Sequence, residues 1–256
     1  MDSVSTAPRL NPLRHAPLHE RVYIELRDAI MTARLQPGEA VTLRGLAEEL
    51  GTSAMPIRDA VHRLVSLRAL EVLGNRTVRV PVLLREKFAE LTQVRRVLEG
   101  AAAEAAAARV SAEGIAVLEE SNRAIELAVR RKDIKAAFRE NRLFHFELYR
   151  AAGNDLLLSM IEDLWLLAGP YLSLPWADVS NKQKSTAAIL PAHHRILLKA
   201  IKARDGTLAS RAISSDIQET ALLVLQCPLF IKAPESEKPS SPRSIRLRVE
   251  RSSKPD

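Results

Sequence analysis

Residues 43–67 constrain this chain more than any other stretch. They hold two short helical periods separated only by Gly51-Thr52-Ser53. Leu43, Leu46, Ala47 and Leu50 fall on one face of the first period. Ile57, Ala60, Val61, Leu64 and Leu67 fall on one face of the second. Gly51 suits a helix C-terminus and Ser53 an N-cap. Pro56 falls within the first turn of the second helix, where its missing N–H costs little. The pair is flanked by a helix over 18–32, with Leu18, Val22, Tyr23, Leu26, Ala29 and Ile30 at helical spacing. Leu35-Gln36-Pro37-Gly38 stops that helix and turns the chain. From Leu70, Glu71 to Val80 reads as a β-hairpin with its tip near Gly74-Asn75, closed by Pro81. Two short helices, a tight glycine turn and a hairpin make a winged helix-turn-helix.

Beyond residue 85 the strand signal vanishes. Helical periods run roughly over 85–109, 112–131, 133–151, 154–170, 182–203 and 206–226, with a break expected around Gly169 to Pro175. Glycine is scarce, at nine residues, and alanine, leucine, arginine and glutamate dominate, which favours helices. The fold class is therefore mainly α. A winged helix-turn-helix over 18–82 precedes a six-helix, bundle-like ligand-binding domain over 83–230. Residues 1–17 read as a flexible lead. Residues 231–256, rich in Pro, Ser and charge, read as a disordered basic tail.

The net charge is +7, spread as +2 over 1–82, +2 over 83–230 and +3 over 231–256. No block is strongly basic, so a nucleic-acid reading rests on particular side chains. The second helix of such a unit lies in the major groove with its N-terminal residues at the base edges. Those residues are Ser53, Ala54, Met55 and Arg58. The fork of Arg58 suits guanine O6 and N7. Arg44 opens the supporting helix and suits a phosphate or base. Arg76 and Arg79, on the hairpin, suit the DNA backbone or minor groove.

In the helical domain three helices each aim a polar group along an apolar stripe. Asn141 and His145 lie four apart beside Ala137, Phe138 and Leu148. His194 lies with Leu190, Leu197, Leu198 and Ile201. Asp216 lies with Ile213, Ile217 and Thr220. Buried groups of this kind are costly unless paired or metal-bound. Two imidazoles, a carboxylate and an amide oxygen suit a divalent metal such as zinc, nickel or manganese. A His145–Asp216 or His194–Asp216 hydrogen bond would satisfy them without metal. His193 points about 100° away from His194 and is the weaker ligand candidate.

Leu35-Gln36-Pro37-Gly38, Leu46 to Gly51, and Ser53-Ala54-Met55-Pro56-Ile57-Arg58-Asp59-Ala60-Val61, with Leu64 and Leu70, resemble the GntR family of bacterial regulators over about 60 residues. Arg44 and Arg58 match the family. Ala54 stands where an arginine is usual, so the operator preference is expected to be atypical. Asp59 replaces the usual Glu, and Gly74-Asn75-Arg76 keeps only part of the wing pattern. Val94 to Gly100, Phe144-His145, Ala152-Gly153-Asn154 and the His194 to Asp205 helix resemble the FadR-type branch, with its FCD ligand-binding domain. That resemblance implies a metal held at Asn141, His145, His194 and Asp216. Asn141 stands for the commoner Asp, and Asp216 for the usual last His. It also implies effectors that are small carboxylates, with Arg95 or Arg96 adding a charge-assisted contact. An ion pair at the surface or an interface is the other reading of those arginines.

The expected function is therefore a DNA-binding transcriptional regulator, a repressor by family habit. It would act as a homodimer on double-stranded operator DNA and respond to a small organic acid. An alternative is a metal-dependent enzyme with an accessory helix-turn-helix, but no nucleophile motif or separate acid–base pair accompanies the cluster. No organic cofactor is expected. The lone Cys227 excludes an internal disulfide framework and a cysteine zinc module, and reads as a buried structural thiol. No apolar leader opens the chain and no run approaches a membrane span, so no membrane partner and a cytoplasmic location are expected.

Overall fold

The structure, a computed structural model, describes residues 18–174 and 186–227. The lead expected over 1–17 and the tail expected over 231–256 lie outside the described residues. The order is α1 (Leu18–Met31), β1 (Ala40–Thr42), α2 (Leu43–Glu49), α3 (Ala54–Ser66), β2 (Glu71–Gly74), β3 (Thr77–Arg79), α4 (Arg85–Arg109), α5 (Ala112–Arg130), α6 (Ile134–Ala151), α7 (Asp155–Leu172), α8 (Thr186–Lys202) and α9 (Gly206–Leu225). The chain is mainly α, as its periodicity predicts. No described helix is long and apolar enough to cross a membrane.

The N-terminal unit packs α1 against α3, with Ile30, Ile57 and Leu64 fully buried between them. Truncating any one of the three to Ala would cost about 2–5 kcal/mol. Thr42 caps α2 by accepting from the Gly45 N–H at 3.0 Å. Gly51, at φ +60°, ends α2 in the left-handed conformation that glycine adopts without penalty. Ser53 occupies the N-cap position of α3, yet its side chain makes no cap bond. The wing turns one residue later than expected. Asn75 and Arg76 both have positive φ, 46° and 59°, as a tight hairpin turn demands at both central positions. A third strand, β1, escaped the sequence reading. It pairs antiparallel with β3, giving the order β1-β3-β2.

The long helices begin at α4. Side-chain caps start most of them: Ser111 for α5, Asp133 for α6, Asn154 for α7 and Asp205 for α9. α4 packs along α9, α5 lies on α6, and α8 lies on α9. The break expected around Gly169 to Pro175 comes late in that window: α7 continues through Gly169 and Pro170 and ends at Leu172. Pro170, within the last turn, forgoes the bond its N–H would have made to the Leu166 carbonyl. Gly169 serves a different purpose. A Cβ there would lie 2.7 Å from the Met31 carbonyl oxygen, so glycine lets α7 press directly on the end of α1. Tyr171, two residues on, donates its hydroxyl to the Pro81 carbonyl and accepts from the Leu83 N–H, both at 2.7 Å. Cys227 is half-buried rather than buried, because it lies just past the end of α9.

Candidate functional site

The side chains singled out in the sequence gather at two places on the molecule. The first is the outer face of α3 and the wing. Ser53, Ala54, Met55 and Arg58 are all exposed at the start of α3, and Arg58 has no partner among the described residues. Met55 is 66% exposed, although apolar side chains are normally sheltered. Arg44 projects from the start of α2 and pairs with Glu48 at 2.8 Å, an i,i+4 contact in full solvent. The pair holds the Arg44 guanidinium above its usual pKa. Exposed pairs of this kind are screened and exchange readily. Arg76 is exposed at the wing tip, and its carbonyl accepts from the Leu43 N–H, tying the wing to the start of α2. Arg79 is held by the cross-strand carboxylate of Glu71, with Nε–Oε1 at 2.7 Å.

The second place is buried where α4, α6, α7, α8 and α9 meet. The interior stripes read from the sequence converge there. Asn141, His145, His194 and Asp216 are 6%, 2%, 0% and 4% exposed. His145 Nε2 lies 3.3 Å from His194 Nε2 and 3.3 Å from Asp216 Oδ2. Phe144 stacks on the His194 ring at 4.1 Å between centroids and fixes its plane. His193 faces away and pairs with Glu219 at 2.9 Å.

Burial pushes the His194 pKa down to about 3, against the pull of Asp216, so its imidazole is neutral near pH 7. Burial opposes ionisation of Asp216 too. The hydrogen bond to His145 and the nearby imidazoles outweigh it and hold the carboxyl below its usual range. Three polar atoms of the cluster have no hydrogen-bond partner: Asn141 Oδ1, Asp216 Oδ1 and His194 Nδ1. Each such group costs about 1–3 kcal/mol if left unsatisfied.

These residues fit a divalent cation. Ligand bonds of about 2.0–2.1 Å at tetrahedral angles set neighbouring donors roughly 3.3–3.4 Å apart. The two separations from His145 Nε2 match that figure. One donor atom from each of His145, His194 and Asp216 lies within 4.8 Å of the others. The orphaned Asn141 oxygen, on a residue lining the same cavity, would be the neutral fourth donor.

A cavity of about 20 Å³ adjoins the cluster. That is room for a water or a bare ion, which needs roughly 10–15 Å³. Arg95, Asn141, His145, Trp165, Asp216 and Thr220 contribute to its lining. Arg95 is thus an interior residue, 3% exposed, and not the surface or interface cation that one reading of the sequence allowed. Its Nε donates to Glu99 Oε1 at 2.7 Å, and its guanidinium lies 5.0 Å from the Trp165 ring centre. Arg96 turns elsewhere, toward Ser214 and Gln218.

Sequence reasoning missed the polar ring behind His145. Glu99, fully buried, accepts from Arg95, from Trp165 Nε1 at 3.0 Å, and from the Tyr149 hydroxyl. Tyr149 Oη lies 2.8 Å from His145 Nδ1. Burial and the Glu99 charge raise the Tyr149 pKa well above its ordinary value. Two signals for this ring were present. Arg95 and Glu99 are four apart, and Tyr149 continues the Asn141–His145 stripe by one more turn. Trp165 carried no such signal.

A winged helix-turn-helix joined to a helical unit with a polar interior is the architecture of a DNA-binding transcriptional regulator. The chain belongs to the GntR family of bacterial regulatory proteins. The family's DNA-binding model matches residues 18–80, and the FCD domain model matches residues 90–219. It is 28% identical to the HTH-type transcriptional regulator McbR of Escherichia coli K12, over 86% of this chain and 98% of that one. The solved structure of E. coli McbR/YncC superposes with a TM-score of 0.77 at 27% identity, covering 83% of this chain and 99% of that chain. The gluconate operon transcriptional repressor of Bacillus licheniformis is 25% identical, over 78% of this chain and 82% of its own length.

Proposed function

We propose that this regulator is a homodimeric, cytoplasmic repressor. Its affinity for operator DNA is set by a small carboxylate bound beside a divalent cation in the helical unit. Asn141, His145, His194 and Asp216 would hold zinc, nickel or manganese. The cation would supply a Lewis-acid centre that takes one carboxylate oxygen. The observation that carries this reading is the cluster's geometry. Donors from three helices converge at cation spacing, with two further oxygens unsatisfied beside them. The relative that represses a gluconate operon makes a small hydroxy acid a reasonable first effector to try.

Arg95 frames the cavity with its charge already balanced by Glu99. Nη1, the guanidinium nitrogen outside both Glu99 hydrogen bonds, is the part assigned to an effector carboxylate. The cavity is too small for any organic acid, so effector binding must widen it. A ligand that requires a wider cavity binds the two arrangements with different free energy, which is the condition for control. Arg58, Arg44 and Arg76 are assigned to DNA, with Ser53, Ala54 and Met55 at the base edges and Arg79 at the backbone.

The test is a fluorescence-anisotropy titration of the protein's own promoter region. Wild type should bind specifically, and candidate hydroxy acids should weaken binding in the cation-loaded protein more than in the EDTA-treated protein. Less than a tenth of an equivalent of metal per chain after gentle purification, together with unaltered melting in EDTA, would replace the cation with a purely hydrogen-bonded cluster.

A further inference from the structure

The ring behind His145 decides which of its nitrogens faces the cluster. Arg95 and Trp165 can only donate, and both point at the Glu99 carboxylate: Arg95 Nε at 2.7 Å, Trp165 Nε1 at 3.0 Å and Arg95 Nη2 at 3.4 Å. The Tyr149 hydroxyl also lies against Glu99 Oε2. A phenol has one O–H to donate, and an acceptor-only carboxylate claims that hydrogen bond. The hydroxyl oxygen is then left to accept from its other neighbour, His145 Nδ1 at 2.8 Å. Nδ1 must therefore carry a proton, and the other ring nitrogen is the one turned toward His194 and Asp216.

We infer that Glu99 and Tyr149 are positioning residues for the cation site: Glu99 accepts a hydrogen bond from the Tyr149 hydroxyl, the hydroxyl oxygen accepts from His145 Nδ1–H, and Nε2 is thereby presented as the ligand atom. This rests on the cation reading proposed above. The three residues come from two helices, α4 and α6, so the relay also fixes the ring's rotation relative to α4. Histidines that bind metal generally need such a partner on their second nitrogen, and losing it typically costs 10–100-fold in affinity. Tyr171→Phe serves as the comparison, since it also removes a buried tyrosine hydroxyl but one that bonds Pro81 and Leu83 and leaves the relay connected.

The experiment uses the full chain, with Zn²⁺ alone as the probe in competition against a chromophoric chelator. Tyr149→Phe should weaken Zn²⁺ binding 10–100-fold, and Tyr171→Phe by less than about threefold. In parallel, ring ¹⁵N shifts of His145 in metal-free wild type should report a protonated Nδ1. That readout needs no variant and is blind to general destabilisation. Wild type with a bare Nδ1, or Tyr149→Phe binding within twofold of wild type, overturns the relay. A wild type that takes up no Zn²⁺ overturns the cation reading instead, which separates the two failures.

Discussion

Arg58 stands alone at the start of α3, one turn from Ser53, with no carboxylate to neutralise it. Its replacement should therefore act on DNA and on nothing else. Arg58→Ala is expected to weaken operator binding by about 1–3 kcal/mol, or roughly 5–150-fold, with unchanged thermal melting. Anisotropy titrations at fixed salt check this, and equal affinity would remove Arg58 from the interface. His194 predicts the response to acid. Its pKa is about 3 in the folded chain against about 6.5 when unfolded, so between those values the unfolded chain binds the extra proton. The stability due to its neutral form is complete above pH 6.5 and is lost as pH falls toward 3. The slope approaches about 1.4 kcal/mol per pH unit. Urea midpoints of metal-free protein at pH 7, 6 and 5 should fall more steeply for wild type than for His194→Gln.

At the scale of elements, α7 is the member to perturb. Gly169→Ala would drive a Cβ into the Met31 backbone, and neither helix has a flexible side chain there to give way. We expect a loss of about 1–3 kcal/mol, read from urea denaturation. Tyr171→Phe should be milder, since it removes only the hydroxyl's bonds to Pro81 and Leu83. The elements also show what sequence can convey. Period 3.6 located the long helices, and the His145, His194 and Asp216 stripes were visible because each lay among apolar residues of its own helix. β1 was invisible because three residues carry no period and its partner β3 lies more than thirty residues away. The purpose of Gly169 was hidden because the Met31 backbone that requires glycine belongs to another element. The Glu99 ring was hidden for the same reason. Its donors come from α4, α6 and α7, and only packing makes them neighbours.

For the whole molecule, the proposed cation would link binding to folding. A ligand at 100 times its dissociation constant adds about 2.7 kcal/mol to the folded state. EDTA should accordingly lower the melting temperature by several degrees, and added Zn²⁺ should restore it. His145→Ala should abolish that response. The seam between the N-terminal unit and the helices extends beyond Gly169. Arg27 lies 3.7 Å from Glu162, and Arg142 lies 3.4 Å from Asp28, one residue from the cluster's Asn141. α7 carries Trp165 at the cavity and Gly169 at the seam, four residues apart, or little more than one helical turn. This arrangement bears on portability. A reader head cut from this protein would lose the wall on which Met31 rests and the hydroxyl that clasps Pro81. Heads exchanged among relatives should work only when the facing turn of α7 travels with them.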